Sequence, residues 1–216
     1  MKFEKQRQDL VDFGKKMSRE GLSPGTSGNL SIYIREENTV LISPSGIDYE
    51  LTRPEDIVAI DLDGNILEGD KKPSSEWHLH TLFYKNKDHI NAIVHTHSVY
   101  ATCLSVLREA LEPIHYVIAD ANTSRVPCAD YARFGTEKLA QNALEAAGKS
   151  DAVLLANHGM LACGKDLKSA FSLAKNIEYL SHLQILSKSC GSPVLLSEDQ
   201  IGEVLEAFKT YGQDKK

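Results

Sequence analysis

Short strand-like segments joined by tight turns constrain the fold of this 216-residue chain more than any other feature of its sequence. Two such segments flank Asp63-Gly64, a hairpin signal because glycine tolerates positive φ. Two more flank the interruption Asn157-His158-Gly159. Parallel strands need a crossover of about a dozen residues or more, so these returns favour antiparallel pairing. We therefore expect an α/β fold in which helices cover a largely antiparallel sheet.

The remaining periodicity supplies the other elements of this architecture. No internal repeat, low-complexity tract or linker divides the chain, so a single domain over residues 1–216 is expected. Alternating apolar residues predict strands, and apolar residues at helical spacing predict helices. Strands are predicted at residues 30–35, 40–43, 57–62, 65–68, 89–97, 115–119, 152–156 and 161–163. Helices are predicted at residues 2–20, from 74 onwards, and at 98–107, 136–147, 166–189 and 198–209.

Charge and hydropathy exclude several classes of protein. The chain carries 24 Lys and Arg against 30 Asp and Glu, a net charge of −6 that disfavours binding to nucleic acid or an anionic membrane. No apolar run approaches the ~18 residues of a membrane span, and the charged N-terminus does not resemble a signal peptide. A cytoplasmic protein is expected. Four cysteines without a C-x-x-C pair are expected to be buried thiols: Cys103, Cys128, Cys163 and Cys190.

The triplet His95-Thr96-His97 is the most informative chemical motif. On a strand, residues i and i+2 project from the same face at a separation of roughly 6.6 Å. Two imidazoles at that spacing can lean together onto one Zn²⁺, with Zn–N bonds of about 2.0–2.1 Å. The apolar residues before this triplet predict a buried strand, and buried histidines need partners. The spacing therefore favours a metal site.

A metal needs further ligands, and three residues elsewhere are candidates. His158 follows an apolar strand and precedes Gly159, which lets backbone or a ligand approach closely. Glu76 and His80 lie four residues apart on one face of a predicted helix, so either could reach the site. A glutamate in a first helical turn also complements the helix dipole. Spacing alone leaves all three open.

Small hydroxyl residues and glycines form three further stretches without a basic motif. They are Thr26-Ser27-Gly28-Asn29, Ser43-Pro44-Ser45-Gly46 and Ser74-Ser75. Such stretches expose backbone N–H groups, and a helix N-terminus adds its positive end, so together they can hold a phosphate. Because Ser74-Ser75 adjoins Glu76, an anion there would lie beside the metal candidates.

Together these motifs resemble the class II aldolase and adducin family, most of all its L-fuculose-1-phosphate aldolases. The motifs that carry the resemblance are 25–31, 43–46, 73–76, 94–97 and 157–159, and the likeness extends to the segment 208–212. The resemblance implies a nine-stranded, mostly antiparallel sheet. It also implies a homotetramer with its sites at subunit interfaces, and a small sugar phosphate as substrate.

The resemblance also implies roles for individual residues. Zn²⁺ would be held by His95, His97 and His158, with Glu76 as a fourth, displaceable ligand. Glu76 and Tyr116 would be catalytic, Glu76 by moving the proton at the enediolate carbon. The substrate phosphate would be held by Gly28, Asn29, Ser45, Gly46, Ser74 and Ser75. The substrate pocket would include Phe134, Tyr211 and Asp120, with Tyr116 and Tyr211 coming from a neighbouring subunit.

The expected reaction is zinc-dependent cleavage of L-fuculose 1-phosphate to dihydroxyacetone phosphate and L-lactaldehyde. One alternative is an aldolase for another deoxy-ketose 1-phosphate, such as 5-deoxyribulose 1-phosphate. Another is an L-ribulose-5-phosphate 4-epimerase, because Asp120 resembles an acid/base of those enzymes, whereas Glu76 favours the aldolase. A distant alternative is a non-catalytic, adducin-like interaction module, which would lack the metal ligands.

Overall fold

The computed structural model describes residues 1–208 and 210, which form a single α/β domain. Eight strands form, seven where the sequence predicts them and an eighth at residues 128–129 that it does not predict. These are β1 Asn29–Ile34, β2 Thr39–Ile42, β3 Val58–Ile60, β4 Ile66–Glu68, β5 Ala92–Thr96, β6 Cys128–Ala129, β7 Ala152–Leu155 and β8 Gly159–Gly164. The segments of helical periodicity give α1 Glu4–Arg19, α2 Trp77–Asn86, α3 Val99–Leu107, α4 Glu137–Ala147, α5 Leu167–Cys190 and α6 Glu198–Phe208.

All eight strands belong to one sheet in the order β4-β3-β2-β1-β5-β8-β7-β6. Every pairing is antiparallel except that of β6 with β7, as the tight returns predicted. The expectation of nine strands is wrong for the described residues. Two further pairings stop at single bridges, Pro44 with Pro73 and Leu111 with Val126. Proline has no N–H to extend a ladder, which limits the first of them.

Helices cover both faces of the sheet, because successive strand residues point to opposite sides. In β5, Ala92 and Val94 pack with the apolar residues of α1, α3 and α5. Ile93 packs on the other face with residues of α2 and α4. His95 has the parity of Ile93, so it lies on the face that α2 covers. None of the described helices has the length and apolar character that a membrane crossing requires.

Two local predictions are wrong. The segment predicted as a strand at 115–119 forms instead a 3₁₀ helix, Tyr116–Ala121. Its apolar residues are too few to separate a short strand from one turn of helix, and the backbone N–H of Ile118 bonds locally to the His115 carbonyl. The expectation of four buried cysteines is also wrong. Cys163 is buried, but Cys103 in α3 and Cys190 at the end of α5 are exposed.

Candidate functional site

The C-terminal end of β5 brings two histidines together. The Nε2 atoms of His95 and His97 lie 3.0 Å apart, as expected for side chains at i and i+2 of one strand. His95 is fully buried, and its Nδ1 donates to the Met160 carbonyl of the neighbouring strand β8 at 2.9 Å. A carbonyl only accepts, so the neutral His95 ring carries its proton on Nδ1 and presents a lone pair at Nε2.

His158 reaches the same point from the tight turn between β7 and β8. Leu155 pairs with Gly159 across this hairpin, and Asn157 takes the left-handed conformation with φ 54°. A side chain at Gly159 would collide with the carbonyl oxygen of Thr96, so this close approach of the hairpin to β5 requires glycine. The turn thereby places the His158 ring 4.9 Å from that of His95, centroid to centroid.

Glu76 completes the cluster from the residue that precedes helix α2. Its Oε2 lies 3.1 Å from His95 Nε2, and its Oε1 lies 3.5 Å from His158 Nε2. Oε2 also accepts a hydrogen bond of 3.0 Å from the Asn29 side chain. Oε1 is buried without a hydrogen-bond partner within the described chain. A buried carboxylate oxygen in that state is costly unless a cation faces it.

This donor set fits a divalent metal ion. One ligand atom from each of Glu76, His95, His97 and His158 lies within 4.8 Å of all the others. Donors about 2.0–2.1 Å from a tetrahedral ion would stand roughly 3.3 Å apart, close to the shorter separations here. Three imidazoles and one carboxylate form a ligand set typical of zinc and neighbouring transition metals. Of the three open candidates, His158 and Glu76 reach the cluster, and His80 does not.

The cluster changes the protonation of its own members. Burial would raise the pKa of Glu76, but the adjacent His95 outweighs it and holds that pKa far below the usual range. Burial lowers the pKa of His97 to about 3 and that of His158 to about 4, with the charge on His95 adding to both effects. His95 is opposite: burial lowers its pKa, but the Glu76 carboxylate more than compensates and raises it. Neutral His97 and His158 beside an ionised Glu76 are ready to bind a metal, whereas His95 must first lose the extra proton that Glu76 favours.

A cavity of about 360 Å³ opens directly onto this cluster. Glu76, His97 and His158 form part of its wall. All six residues predicted to bind phosphate also line it: Gly28, Asn29, Ser45, Gly46, Ser74 and Ser75. The structure therefore brings three separate loops and the histidine cluster to one cavity.

Positive backbone angles shape two of these loops. Gly28 and Gly46 have φ of 75° and 69°, values that residues with a side chain seldom adopt. A Cβ at Gly28 would also stand 2.7 Å from the His95 carbonyl oxygen. The first loop therefore lies against β5 only because residue 28 is glycine.

The remaining predicted residues do not all meet at this cavity within one chain. Phe134 does line it and is exposed. Tyr116 is half-exposed on the 3₁₀ helix, stacked on the His115 ring, and is not part of the wall. Asp120 lines a different cavity, where Asn176 donates to its Oδ2 at 2.5 Å. Tyr211 lies outside the described residues.

Sequence reasoning missed several residues of the wall. Tyr131 and Ala132 lie in the loop after β6 and line the cavity together with Phe134. Asn157 lines it as well, and its place beside His158 is the signal that could have identified it. The loop after β6 carries no motif of its own, so only the fold could reveal that it faces the cluster.

Comparison with known proteins gives a consistent result. The family model described as class II aldolase and adducin N-terminal domain matches residues 8–185. The chain is 45% identical, over 99% of its length and 100% of the relative, to the 5-deoxy-D-ribulose 1-phosphate aldolase of Bacillus thuringiensis serovar kurstaki. It is 41% identical to the L-fuculose phosphate aldolase of Escherichia coli K12, over 98% of both chains. A solved structure of L-fuculose 1-phosphate aldolase superposes with a TM-score of 0.93 at 43% identity, covering 95% of this chain and 96% of that one.

Proposed function

Because the chain belongs to the class II aldolase and adducin family, we propose that it cleaves a deoxy-ketose 1-phosphate into dihydroxyacetone phosphate and a short aldehyde. Its family and relatives make it a class II aldolase, a lyase of carbohydrate metabolism. One observation carries the proposal: Glu76, His95, His97 and His158 converge beside a cavity that is also lined by loops of glycine and hydroxyl residues.

The proposed substrate ends in a methyl group. We place 5-deoxyribulose 1-phosphate first, because the relative named for it is 45% identical, and L-fuculose 1-phosphate second, because its named relative is 41% identical. Both are ketose 1-phosphates that yield the same phosphorylated product. The first would release acetaldehyde and the second L-lactaldehyde. This order reverses the expectation from the sequence motifs.

The proposed cofactor is Zn²⁺, held by His95, His97, His158 and Glu76. When bound, it would supply a Lewis acid that withdraws electron density from the substrate carbonyl. The buried orphan oxygen Oε1 of Glu76 supports this assignment, because a cation would compensate it. The proposed chemistry needs no Schiff-base lysine, and no lysine among residues 1–208 lines the cavity.

Cleavage breaks the C3–C4 bond of the ketose. The C4 hydroxyl loses its proton as the aldehyde forms, and C3 gains a proton, so the atoms balance without a co-reactant. Because its carboxylate is ionised and borders the cavity, Glu76 would first take up a proton equivalent to the one that the C4 hydroxyl loses, and would then deliver it to C3. General acid–base assistance of this kind contributes about 10²–10⁴-fold.

The three small-residue loops would hold the substrate phosphate. Gly28 and Gly46 turn with positive φ, which leaves backbone N–H groups unobstructed by side chains. The hydroxyls of Ser45, Ser74 and Ser75 line the same cavity, and Asn29 closes it next to Glu76. Phosphate binding without a basic side chain is consistent with the acidic net charge of −6.

The aldehyde end of the substrate is proposed to meet residues of a neighbouring subunit. Tyr116 is half-exposed and outside the cavity of its own chain, as a residue that acts in trans would be. We propose a homotetramer with sites at its interfaces, in which Tyr116 handles the aldehyde-oxygen proton and Tyr211 completes the pocket with Phe134. The cytoplasm is the proposed compartment, in keeping with the four free thiols.

The epimerase and the adducin-like alternatives have less support. An epimerase would use Asp120, but its carboxylate is bound to Asn176 and lines another cavity of the chain. An interaction module would have no need for the four converging ligands. Neither alternative is favoured by a feature of the described residues.

A product assay tests the proposal. Purified protein loaded with Zn²⁺ is incubated with 5-deoxyribulose 1-phosphate, L-fuculose 1-phosphate or L-ribulose 5-phosphate, and dihydroxyacetone phosphate is measured by coupled reduction with NADH. We expect product from the first two, with a higher kcat/KM for the first. Conversion of L-ribulose 5-phosphate to its C4 epimer, without cleavage of either 1-phosphate, would overturn the aldolase in favour of the epimerase.

A further inference from the structure

A continuous chain of hydrogen bonds runs behind Glu76 into the core. Tyr84 Oη lies 2.6 Å from Ser31 Oγ, and Ser31 Oγ lies 2.6 Å from His80 Nδ1. His80 Nε2 lies 2.5 Å from Asn29 Oδ1, and Asn29 Nδ2 lies 3.0 Å from Glu76 Oε2. All five side chains are buried. Four of them are thus linked one after another by hydrogen bonds to the Glu76 carboxylate, which borders the cavity.

The direction of every bond in this chain follows from its last member. An ionised carboxylate only accepts, so Asn29 donates through Nδ2 to Glu76 and turns its Oδ1 towards His80. Oδ1 also only accepts, so His80 must donate from Nε2. Its Nδ1 then accepts from Ser31, whose single hydroxyl hydrogen is thereby used. The Tyr84 hydroxyl consequently donates to Ser31.

This one-way arrangement requires a neutral His80 with its proton on Nε2. Complete burial, supported by the nearby charge on His95, lowers the pKa of His80 to about 3, so the ring is neutral at physiological pH. A proton on Nδ1 instead would face the Ser31 hydroxyl and leave two acceptors, Nε2 and Asn29 Oδ1, against each other at 2.5 Å. One tautomer alone satisfies the chain.

We propose that His80 is a positioning residue that locks the Asn29 amide and thereby holds Oε2 of Glu76, so that Oε1 is directed at His158. The inference rests on the proposed function, since it assigns to His80 the control of the proposed metal ligand and acid/base. Residues that orient a metal ligand in this manner typically account for about 10–100-fold in metal affinity or activity.

The helix offers its own control for this role. His78 lies two residues from His80 on α2, but its ring stacks on Trp77 and lines a separate cavity. A change at His78 therefore alters the same helix and the same residue type without touching the donor chain. Two conservative variants at His80 separate its two nitrogens. Counted in bonds from Cβ, a glutamine amide ends where Nε2 lies and an asparagine amide ends where Nδ1 lies.

The experiment compares His80→Gln, His80→Asn and His78→Gln in Zn²⁺ affinity and in kcat. Affinity is measured by competition with a chromophoric chelator. We expect His80→Gln and His78→Gln to stay within about threefold of wild type, because the first retains the donor to Asn29. His80→Asn should lose about 10–100-fold in both quantities. Equal values for His80→Asn and His80→Gln, in either direction, would overturn the proposal.

A second measurement does not depend on turnover or on metal. Long-range ¹H–¹⁵N spectra of the metal-free wild-type protein report the tautomer of each histidine. The proposal requires His80 to be neutral with its proton on Nε2, and a proton on Nδ1 or a charged ring contradicts it. If the protein fails to cleave any ketose 1-phosphate, the proposed function fails, while the tautomer and the affinity series still decide the role of His80.

Discussion

Two cavities lie at opposite ends of the β5–β8 strand pair, and they differ in how their polar groups are satisfied. The second cavity, of about 690 Å³ against 360 Å³, is larger. It begins where β8 ends, and it contains more formal charge than the cavity beside the histidine cluster. Size and charge alone would rank it first.

Its acidic and histidine side chains, however, are paired with one another or with neighbours. His89 Nε2 lies 2.8 Å from Asp151 Oδ1, and Asp120 accepts from Asn176. In the first cavity, by contrast, Glu76 Oε1 has no hydrogen-bond partner within the described chain. Polar side chains that converge with a hydrogen-bonding atom left unsatisfied therefore mark a candidate reactive site. Charged side chains that are paired with one another are more typical of a structural role.

The largest expected effect comes from removing a histidine at the cluster, compared with removing one at the other cavity. We expect His97→Ala to lower kcat/KM by at least about 10⁴-fold and to abolish tight Zn²⁺ binding, because transition-state stabilisation of several kcal/mol depends on the ion. The matched change His89→Ala should stay within about twofold. Bound metal by mass spectrometry and steady-state kinetics check both. Comparable losses from the two variants would remove the distinction between the cavities.

A pair of carboxylates gives the next test. Glu76→Gln should lower kcat by about 10³-fold, within the range for acid–base assistance, while inorganic phosphate binds with nearly unchanged affinity. Asp151→Asn, at the other end of the sheet, should leave kcat within about twofold. Calorimetric titration with phosphate and initial-rate kinetics provide the measurements. Near-normal turnover by Glu76→Gln would take this residue out of the mechanism.

The buried His80 near the histidine cluster should also make the stability of the protein depend on pH. Its pKa is lowered to about 3 in the folded protein, against an ordinary value near 6.5. Between these values the unfolded chain binds the extra proton, so stability is lost as pH falls below about 6.5. Between about pH 7.5 and about pH 4.5, the free energy of unfolding of the metal-free wild type should fall by about 3 kcal/mol more than that of His80→Gln.

Thermal unfolding at a series of pH values measures this difference. For a domain of this size it corresponds to a Tm shift of roughly 6–12 °C. Parallel pH profiles for wild type and His80→Gln would mean that the ring is already protonated in the folded state, or is not the group responsible.

The smallest effect is expected at the far end of the donor chain. Tyr84→Phe removes the hydroxyl that donates to Ser31 but leaves the later bonds to Glu76 in place. We expect kcat to fall by about two- to fivefold. Tyr33→Phe is the control, since the Tyr33 ring packs beside Tyr84 but its hydroxyl donates to Asn38. A larger loss from Tyr33→Phe than from Tyr84→Phe would count against the chain.

The pair His95 and His97 was predictable because it depends on local periodicity, whereas His158 and Glu76 were assigned to the same cluster only through the resemblance of the motifs. The strand period places His95 and His97 on one face, and glycine after His158 permits a tight turn. The fold class followed from equally local evidence, the short returns at Asp63-Gly64 and at the His158 turn. Both conclusions needed only the chain's immediate neighbourhood and the resemblance of its motifs.

What could not be predicted depends on contacts between distant elements. His80 was a candidate ligand by its spacing from Glu76, yet the packing of α2 against β1 turns it towards Asn29 and Ser31. Helical periodicity identifies a face, but not which atoms of another strand that face meets. The 3₁₀ helix at Tyr116 was missed for a related reason, because a few apolar residues suit a short strand as well as a helical turn.

The His158 turn also bears on the order of events during biosynthesis. The ribosome releases His95 and His97 long before the hairpin of β7 and β8 exists, and that hairpin must pair with β5 to bring the third imidazole into place. Two histidines on an unpaired strand hold a metal ion far less tightly than the full set. For the proposed ion, acquisition would therefore be a late step that waits for the third imidazole.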